Sequence, residues 1–109
     1  MAPITTIVHF EIPAENTDKF FAFWQDYIKD NVGRQPGLID GIFHRGIDPD
    51  APYQYINVAH WESAEQLAAG LQATSEDLPI AKVFQDLGVK VTQNNYVEAL
   101  RYAATPGTG

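Results

Sequence analysis

The chain has no cysteine among its 109 residues and few basic side chains. The missing cysteine excludes a disulfide framework, a thiolate nucleophile and a cysteine-ligated metal site. The balance of 7 Lys and Arg against 14 Asp and Glu leaves a net charge of −7, and no basic run occurs. We therefore expect no nucleic acid and no anionic membrane surface among the partners, because both repel a negatively charged protein.

Long apolar runs are also missing. No run approaches the roughly 20 residues that a helix needs to span a bilayer. The N-terminal stretch MAPITTIVHF lacks the charged start and the long apolar core of a signal peptide. These absences favour a cytoplasmic protein. With 45% hydrophobic residues at this length, we expect a single domain over residues 1–103 and a flexible tail over 104–109.

One stretch, residues 53–66, combines a strand pattern with a helix start. Its sequence is YQYINVAHWESAEQ, and alternate side chains in its first part fall on opposite faces. Ser63 and Gln66 have the spacing of a capping box, which predicts that a helix begins at this junction. One strand face mixes aromatic and polar side chains, as expected for the wall of an apolar pocket with a few oriented polar groups: Tyr53, Tyr55, Asn57, Ala59 and Trp61.

Hydrophobic periodicity predicts the other elements of the fold. The predicted order is a strand at 4–12, a helix at 15–32, strands at 38–47 and 53–61, a helix in two pieces at 64–73 and 75–87, and a strand at 89–102. This order is typical of the ferredoxin-like βαββαβ arrangement. It is an α+β fold whose antiparallel sheet carries its helices on one face.

Three local features refine this prediction. Gly41 is expected at a bulge or a close approach of two strands. The IDPDAP segment predicts a hairpin loop of about five residues, and the polar run Gln93–Asn95 suggests an interruption of the last strand.

The sheet face away from the helices also carries apolar residues. Ile7, Ile56 and Val58 fall on this side and need to be covered. A second copy of the chain, packed sheet against sheet, is the simplest cover, so we predict a homodimer through the open sheet face. His9 and His60 fall on the same side and are expected at the interface.

The segment QPGLIDGIFHRGIDPDAPYQYINVAHWES, residues 35–63, resembles the antibiotic biosynthesis monooxygenase family of dimeric α/β barrels. The Q-P-G before the second strand, the D-P-D turn and the N-V-A-x-W-E-S junction occur in family order. The resemblance in element order extends over residues 4–102. It implies a ferredoxin-like chain that forms a dimeric α/β barrel.

The resemblance also implies site residues. In the cofactor-free polyketide oxygenases of this family, an Asn and a Trp on the third strand line the pocket, and Asn57 and Trp61 match them. The pocket Tyr on the next helix falls at Leu67, and Lys82 is a loose counterpart of an expected basic residue. The haem-degrading branch shares the Trp, but residues 64–100 contain no histidine to ligate haem iron.

Taken together, the residues and the resemblance favour a cofactor-independent monooxygenase that acts on an anthrone, a hydroquinone or a polyketide-like aromatic molecule. Asn57 and Trp61 are expected to donate hydrogen bonds to the substrate, with His44 as general base. No metal site is expected, because no histidine pair has ligand spacing. The expected substrate-binding residues are Tyr53, Tyr55, Leu67 and Phe43.

Two other functions stay open at this point. One is a non-catalytic dimeric binding or stress-related protein, in which side chains fill the pocket. The other is an isomerase or degrading enzyme for a small signalling molecule, which would need His44 as proton carrier. A purely structural interpretation also exists for the two central residues: Asn57 pairs with a backbone group, and Trp61 packs under the second helix.

Overall fold

The computed structural model describes residues 3–107, without the side chains of Ser75 and Leu78. Two short 3-10 turns, Ala14–Asn16 and Val32–Arg34, flank the first helix. The regular elements are β1 (Ile4–Glu11), α1 (Thr17–Asp30), β2 (Leu38–Arg45), β3 (Tyr55–Trp61), α2 (Ala64–Ser75), α3 (Leu78–Leu87) and β4 (Lys90–Val97).

The four strands form one antiparallel sheet in the order β2-β3-β1-β4. The predicted ferredoxin-like topology is confirmed, with β1 and β3 at the centre of the sheet and β2 and β4 at its edges. Along β3, residues alternate strictly between buried and half-buried, and the buried set faces the helices. The alternation of residue types in the sequence therefore predicted correctly which side chains of β3 lie on each face of the sheet.

Aromatic side chains build most of the core between the sheet and α1. Phe20, Trp24 and Tyr27 are the buried residues of α1, at the spacing that places them on one side of a helix. Phe10 of β1 is 1% exposed, and its ring lies 5.1 Å from that of Trp24 and 5.2 Å from that of Phe20. The aromatic arc of the first helix is thus mainly core.

The junction between β3 and α2 is locked to the turn before β2. Ser63 Oγ accepts a hydrogen bond from the Gln66 backbone at 3.1 Å and donates to Gln66 Oε1 at 3.0 Å. Gly37 has φ +89°, and a Cβ there would lie 2.5 Å from the Gln66 side chain. The Glu62 N–H donates to the Gly37 carbonyl at 2.8 Å. The Q-P-G turn and the W-E-S junction are therefore one structural unit, which fixes where Trp61 sits.

The three local predictions were wrong in detail. The register shift in β2 lies between Leu38 and Asp40, whereas Gly41 pairs regularly with Ala59. The connection between β2 and β3 spans residues 46–54, and the Gly46 N–H extends the hairpin by donating to the Gln54 carbonyl at 2.8 Å. β4 runs without interruption through 93–95, because its backbone pairs with β1 along its whole length.

The chain after β4 has no regular secondary structure over residues 98–107 and is exposed. The domain limits and the flexibility of the tail stay predictions, and residues 1, 2, 108 and 109 lie outside the described part. Within residues 3–107, no helix has the length and apolar character that crossing a membrane requires.

The open sheet face carries both apolar and titratable side chains. Ile42 is 63% exposed, and Ile7, Ile56 and Val58 are half-buried. His60 Nδ1 lies 2.5 Å from Asp40 Oδ1 on this face. His9 pairs with Ile56 in the register, and so lies on the side away from the helices as predicted.

Candidate functional site

A cavity of about 140 Å³ lies between the helix-facing side of the sheet and helices α1 and α2. Its walls are mostly apolar, and a few polar side chains interrupt them. The sheet contributes Thr6, Val8, Asn57, Ala59, Trp61 and Gln93, and the helices contribute Trp24, Leu67, Gly70, Leu71 and Thr74. An apolar cavity with few polar groups is the usual form of a small-molecule site.

Asn57 is the buried amide of this cavity. It lies at the middle of β3, opposite Val8 of β1 and Phe43 of β2, and is 9% exposed. Among the described residues, its side chain has no hydrogen-bond partner. The structural interpretation in which Asn57 satisfies a neighbouring backbone group is therefore wrong. The amide atoms of Asn57 are not fully enclosed by protein, so the unpaired group can hydrogen-bond to a ligand or to water in the cavity.

Trp61 lies at the end of β3 and is 4% exposed. Its ring packs against α2 at Gly70, where a Cβ would lie 2.6 Å from Cη2 of the indole. Trp61 thus packs under the second helix and also lines the cavity. Its Nε1 is buried without a partner in the described part of the chain, as is Nε1 of Trp24. Two unpaired indole donors therefore belong to residues that line one cavity.

A hydrogen-bonded polar cluster on β1 and β4 was not predicted. Thr6 is 3% exposed, and its Oγ1 donates to Asn95 Oδ1 at 2.9 Å. Gln93 Nε2 donates to Thr6 Oγ1 at 2.9 Å and to Asn95 Oδ1 at 2.6 Å. The sequence could have predicted this cluster from Gln93 and Asn95. These two amides lie at alternate positions of one strand, and alternate residues share a face.

Of the predicted substrate-binding residues, Leu67 lines the cavity and is 2% exposed. Tyr55 and Phe43 lie beside it in the core instead. Their rings stack at 4.9 Å, and Phe43 contacts Phe10 at 5.8 Å between ring centroids. Neither ring reaches the cavity wall, so we correct their role from substrate contact to support of the neighbouring core.

Two predicted site residues lie on the wrong face of the sheet. Tyr53 precedes β3, and its ring packs on His9 at 4.7 Å on the open face. His44 is exposed and pairs with Ile56, so its side chain is on the side opposite Asn57. The placement of Tyr53 in the pocket and the role of His44 as its general base are therefore corrected.

No side chain that lines the cavity ionises, as far as residues 3–107 are concerned. Tyr27 is a buried phenol of the core, and its Oη donates to Asp77 Oδ2 at 3.2 Å. Burial raises the pKa of Tyr27 above its ordinary value, so its hydroxyl stays protonated near neutral pH. Lys82 is exposed and paired with Asp86 at 3.1 Å, and does not line the cavity. The described residues contain no group of three His, Cys, Asp or Glu that could hold a metal ion.

Solved structures with this fold include oxygenases. The chain is 30% identical to a candidate monooxygenase from Shewanella loihica PV-4, covering 93% of this chain and 97% of that one with a TM-score of 0.69. SnoaB of Streptomyces nogalater, a cofactor-independent oxygenase, is 19% identical with a TM-score of 0.66, over 93% of this chain and 97% of its own. A dimeric ferredoxin-like protein from an uncultured marine organism is 11% identical with a TM-score of 0.76, over 94% and 100%.

No protein-family model matches the chain, and no curated protein matches it. The similarity to known proteins therefore rests on solved structures. The structure from Shewanella loihica PV-4 is also similar in sequence along nearly the whole chain. The two more distant structures support the fold alone.

Proposed function

Because the chain belongs to the antibiotic biosynthesis monooxygenase family, we propose that it is a cofactor-independent monooxygenase for an aromatic small molecule. The observation that carries this proposal is the unpaired amide of Asn57 in an apolar cavity that Trp61 also lines. A group of this kind is arranged to stabilise an oxyanion, the charged form in which a phenol or enol reacts with O₂.

The reaction needs no reductant other than the substrate. The substrate anion gives one electron to O₂, and the two radicals combine to form a carbon–oxygen bond. Cleavage of the oxygen–oxygen bond then leaves one oxygen atom on the substrate, and the other departs as water with two substrate hydrogens. The substrate loses four electrons and O₂ gains four, so a substrate SH₂ and O₂ give SO and H₂O.

The cavity walls supply the conditions for this chemistry. Asn57 Nδ2 donates a hydrogen bond to the substrate oxygen, where the negative charge resides before electron transfer. The indole of Trp61 provides a flat apolar surface for the ring, while its N–H is enclosed by protein. Apolar neighbours such as Leu67 exclude bulk water, which would otherwise solvate the anion and make it less reactive.

The alternative functions have less support. A binding protein whose pocket is filled by side chains does not fit a cavity of about 140 Å³. An isomerase that uses His44 as proton carrier does not fit the position of this residue on the opposite sheet face.

Oxygen consumption by metal-free protein tests the proposal directly. We expect uptake of one O₂ per substrate oxidised with hydroquinones or anthrones, unchanged after addition of a metal chelator and catalase. The product is expected to contain one atom of ¹⁸O when ¹⁸O₂ is supplied, measured by mass spectrometry. Absence of uptake above the protein-free rate across both substrate classes would refute the monooxygenase.

We also propose that the protein is a homodimer through the open sheet face. This face exposes Ile42 beside three half-buried aliphatic side chains, an apolar surface that a monomer would leave in water. The marine structure with the same fold is described as dimeric, which supports a dimer here.

Replacing Ile42 with Asp is expected to convert the dimer to a monomer, because a carboxylate would lose its water in the apolar interface. Analytical ultracentrifugation measures the mass. Ile47→Asp is the matched control, since Ile47 is 93% exposed in the β2–β3 connection and lies off the sheet. A wild-type monomer, or equal masses for both variants, would contradict the proposed interface.

A further inference from the structure

The size of the cavity limits how much of an aromatic molecule it can enclose. Its volume of about 140 Å³ is close to that of an engineered protein cavity of about 150 Å³ that binds benzene. One aromatic ring therefore fills it. A molecule of three fused rings would project beyond the apolar walls, and its outer rings would gain little from burial.

Two amides flank this volume on the sheet. Asn57 of β3 and Gln93 of β4 both pair with Val8 of β1, so the three residues form one row across neighbouring strands. Strands lie roughly 4.8 Å apart, which places the backbones of the two amide residues about 10 Å from each other. This separation suits one six-membered ring with an oxygen atom at each end.

The hydrogen-bond roles of the two amides differ. Both donor contacts of Gln93 are made by Nε2, to Thr6 Oγ1 and Asn95 Oδ1. Its Oε1 has no partner among residues 3–107 and is an acceptor only. In the described part of the chain, neither the N–H groups nor the Oδ1 of Asn57 has a partner, so this amide can donate as well as accept. The row therefore offers an acceptor at one end and a donor at the other.

We propose that the site selects a single aromatic ring with two oxygens in para positions, the monoanion of a hydroquinone. Gln93 Oε1 accepts from the remaining hydroxyl, and Asn57 donates to the oxyanion; Thr6 and Asn95 position Gln93. This assignment rests on the proposed function for its chemistry and adds to it a substrate class and a specificity-determining residue. The balanced reaction is hydroquinone plus O₂ to hydroxybenzoquinone plus water.

Anaerobic binding isolates recognition from turnover. Titration calorimetry compares hydroquinone with 4-fluorophenol, which keeps the ring and one hydroxyl but lacks the second, and with anthrone as a three-ring probe. We expect wild-type protein to bind hydroquinone about tenfold more tightly than 4-fluorophenol, the effect of one buried hydrogen bond. Anthrone is expected to bind more weakly than hydroquinone. Both tryptophans of the chain line the cavity, so quenching of their fluorescence checks the location.

The variant Gln93→Leu keeps a side chain of similar size and removes the acceptor. We expect it to abolish the tenfold preference for hydroquinone, mainly by weakening hydroquinone binding. Asn94→Ala is the matched control, because Asn94 pairs with Ile7 on the opposite face of the same strand, and it should retain the preference. Thr6→Val removes a hydrogen-bond partner of Gln93 Nε2 and should lower the preference for hydroquinone about threefold. This variant provides the test if Gln93→Leu does not fold.

The two proposals fail in different ways. Equal wild-type affinity for hydroquinone and 4-fluorophenol, a preference that survives in Gln93→Leu, or tighter binding of anthrone would each overturn the single-ring assignment. Oxygen uptake with anthrone would then still support the monooxygenase. Selective hydroquinone binding that depends on Gln93 but gives no oxygen uptake would support the assignment and refute the monooxygenase.

Discussion

Replacing Asn57 with Ala is expected to lower kcat/KM for oxygen-dependent turnover about 100-fold, the usual effect of removing one oxyanion donor. The thermal stability should change little, because the wild-type amide has no hydrogen-bond partner among the described residues and its loss breaks no protein contact. Initial rates of oxygen consumption and a thermal unfolding curve measure the two quantities.

His44→Ala is the control for this variant. His44 is exposed on the opposite sheet face, so its loss should leave kcat/KM within about twofold. A large effect of His44→Ala together with a small effect of Asn57→Ala would contradict the site described here. It would place the chemistry on the open face of the sheet.

The second large effect concerns pH. Since no ionisable side chain of residues 3–107 lines the cavity, the substrate has to ionise without a protein base. We expect kcat/KM to rise about tenfold per pH unit and to level off near the pKa of the substrate phenol, which is about 10 for an ordinary phenol. The value of kcat/KM increases with pH because the substrate anion is the reactive form and its fraction increases with pH.

A substituted hydroquinone with a more acidic hydroxyl provides the control. The pH at which kcat/KM levels off should move down by the same amount as the pKa of the substrate. A break that stays at one pH for both substrates would indicate a titrating group of the protein, and would contradict a site without a general base. The Asn57→Ala variant should keep the slope while lowering the rate at every pH.

The order of elements was predictable from the sequence because it depends on local interactions. Periods of two and 3.6 residues reflect the geometry of single strands and helices, and they located the ends of the regular elements to within three residues. The exception is the end of β4, which lies at Val97 and not at residue 102. The start of α2 was predicted correctly, because the Ser63–Gln66 capping box is a local hydrogen-bond pattern. The family resemblance identified Asn57 and Trp61, which both line the cavity.

Alternation failed for Tyr53 because β3 begins only at Tyr55. Alternation assigns side chains to the two sheet faces only within a strand. Tyr53 lies before the start of β3, and its ring packs against His9. His44 was misplaced for another reason. Its own strand shows the alternation, but which face meets the helices depends on the register with β3 and on the shift between Leu38 and Asp40.

The sequence by itself determined the secondary structure, the ferredoxin-like order and the buried face of β3. The tertiary structure alone decided which strands lie side by side, and so which distant residues share a cavity. Gln93 and Asn57 are neighbours of the same residue, Val8, only because β1 pairs with both β3 and β4. Hydrogen bonds between strands far apart in sequence set that register, and no local pattern encodes it.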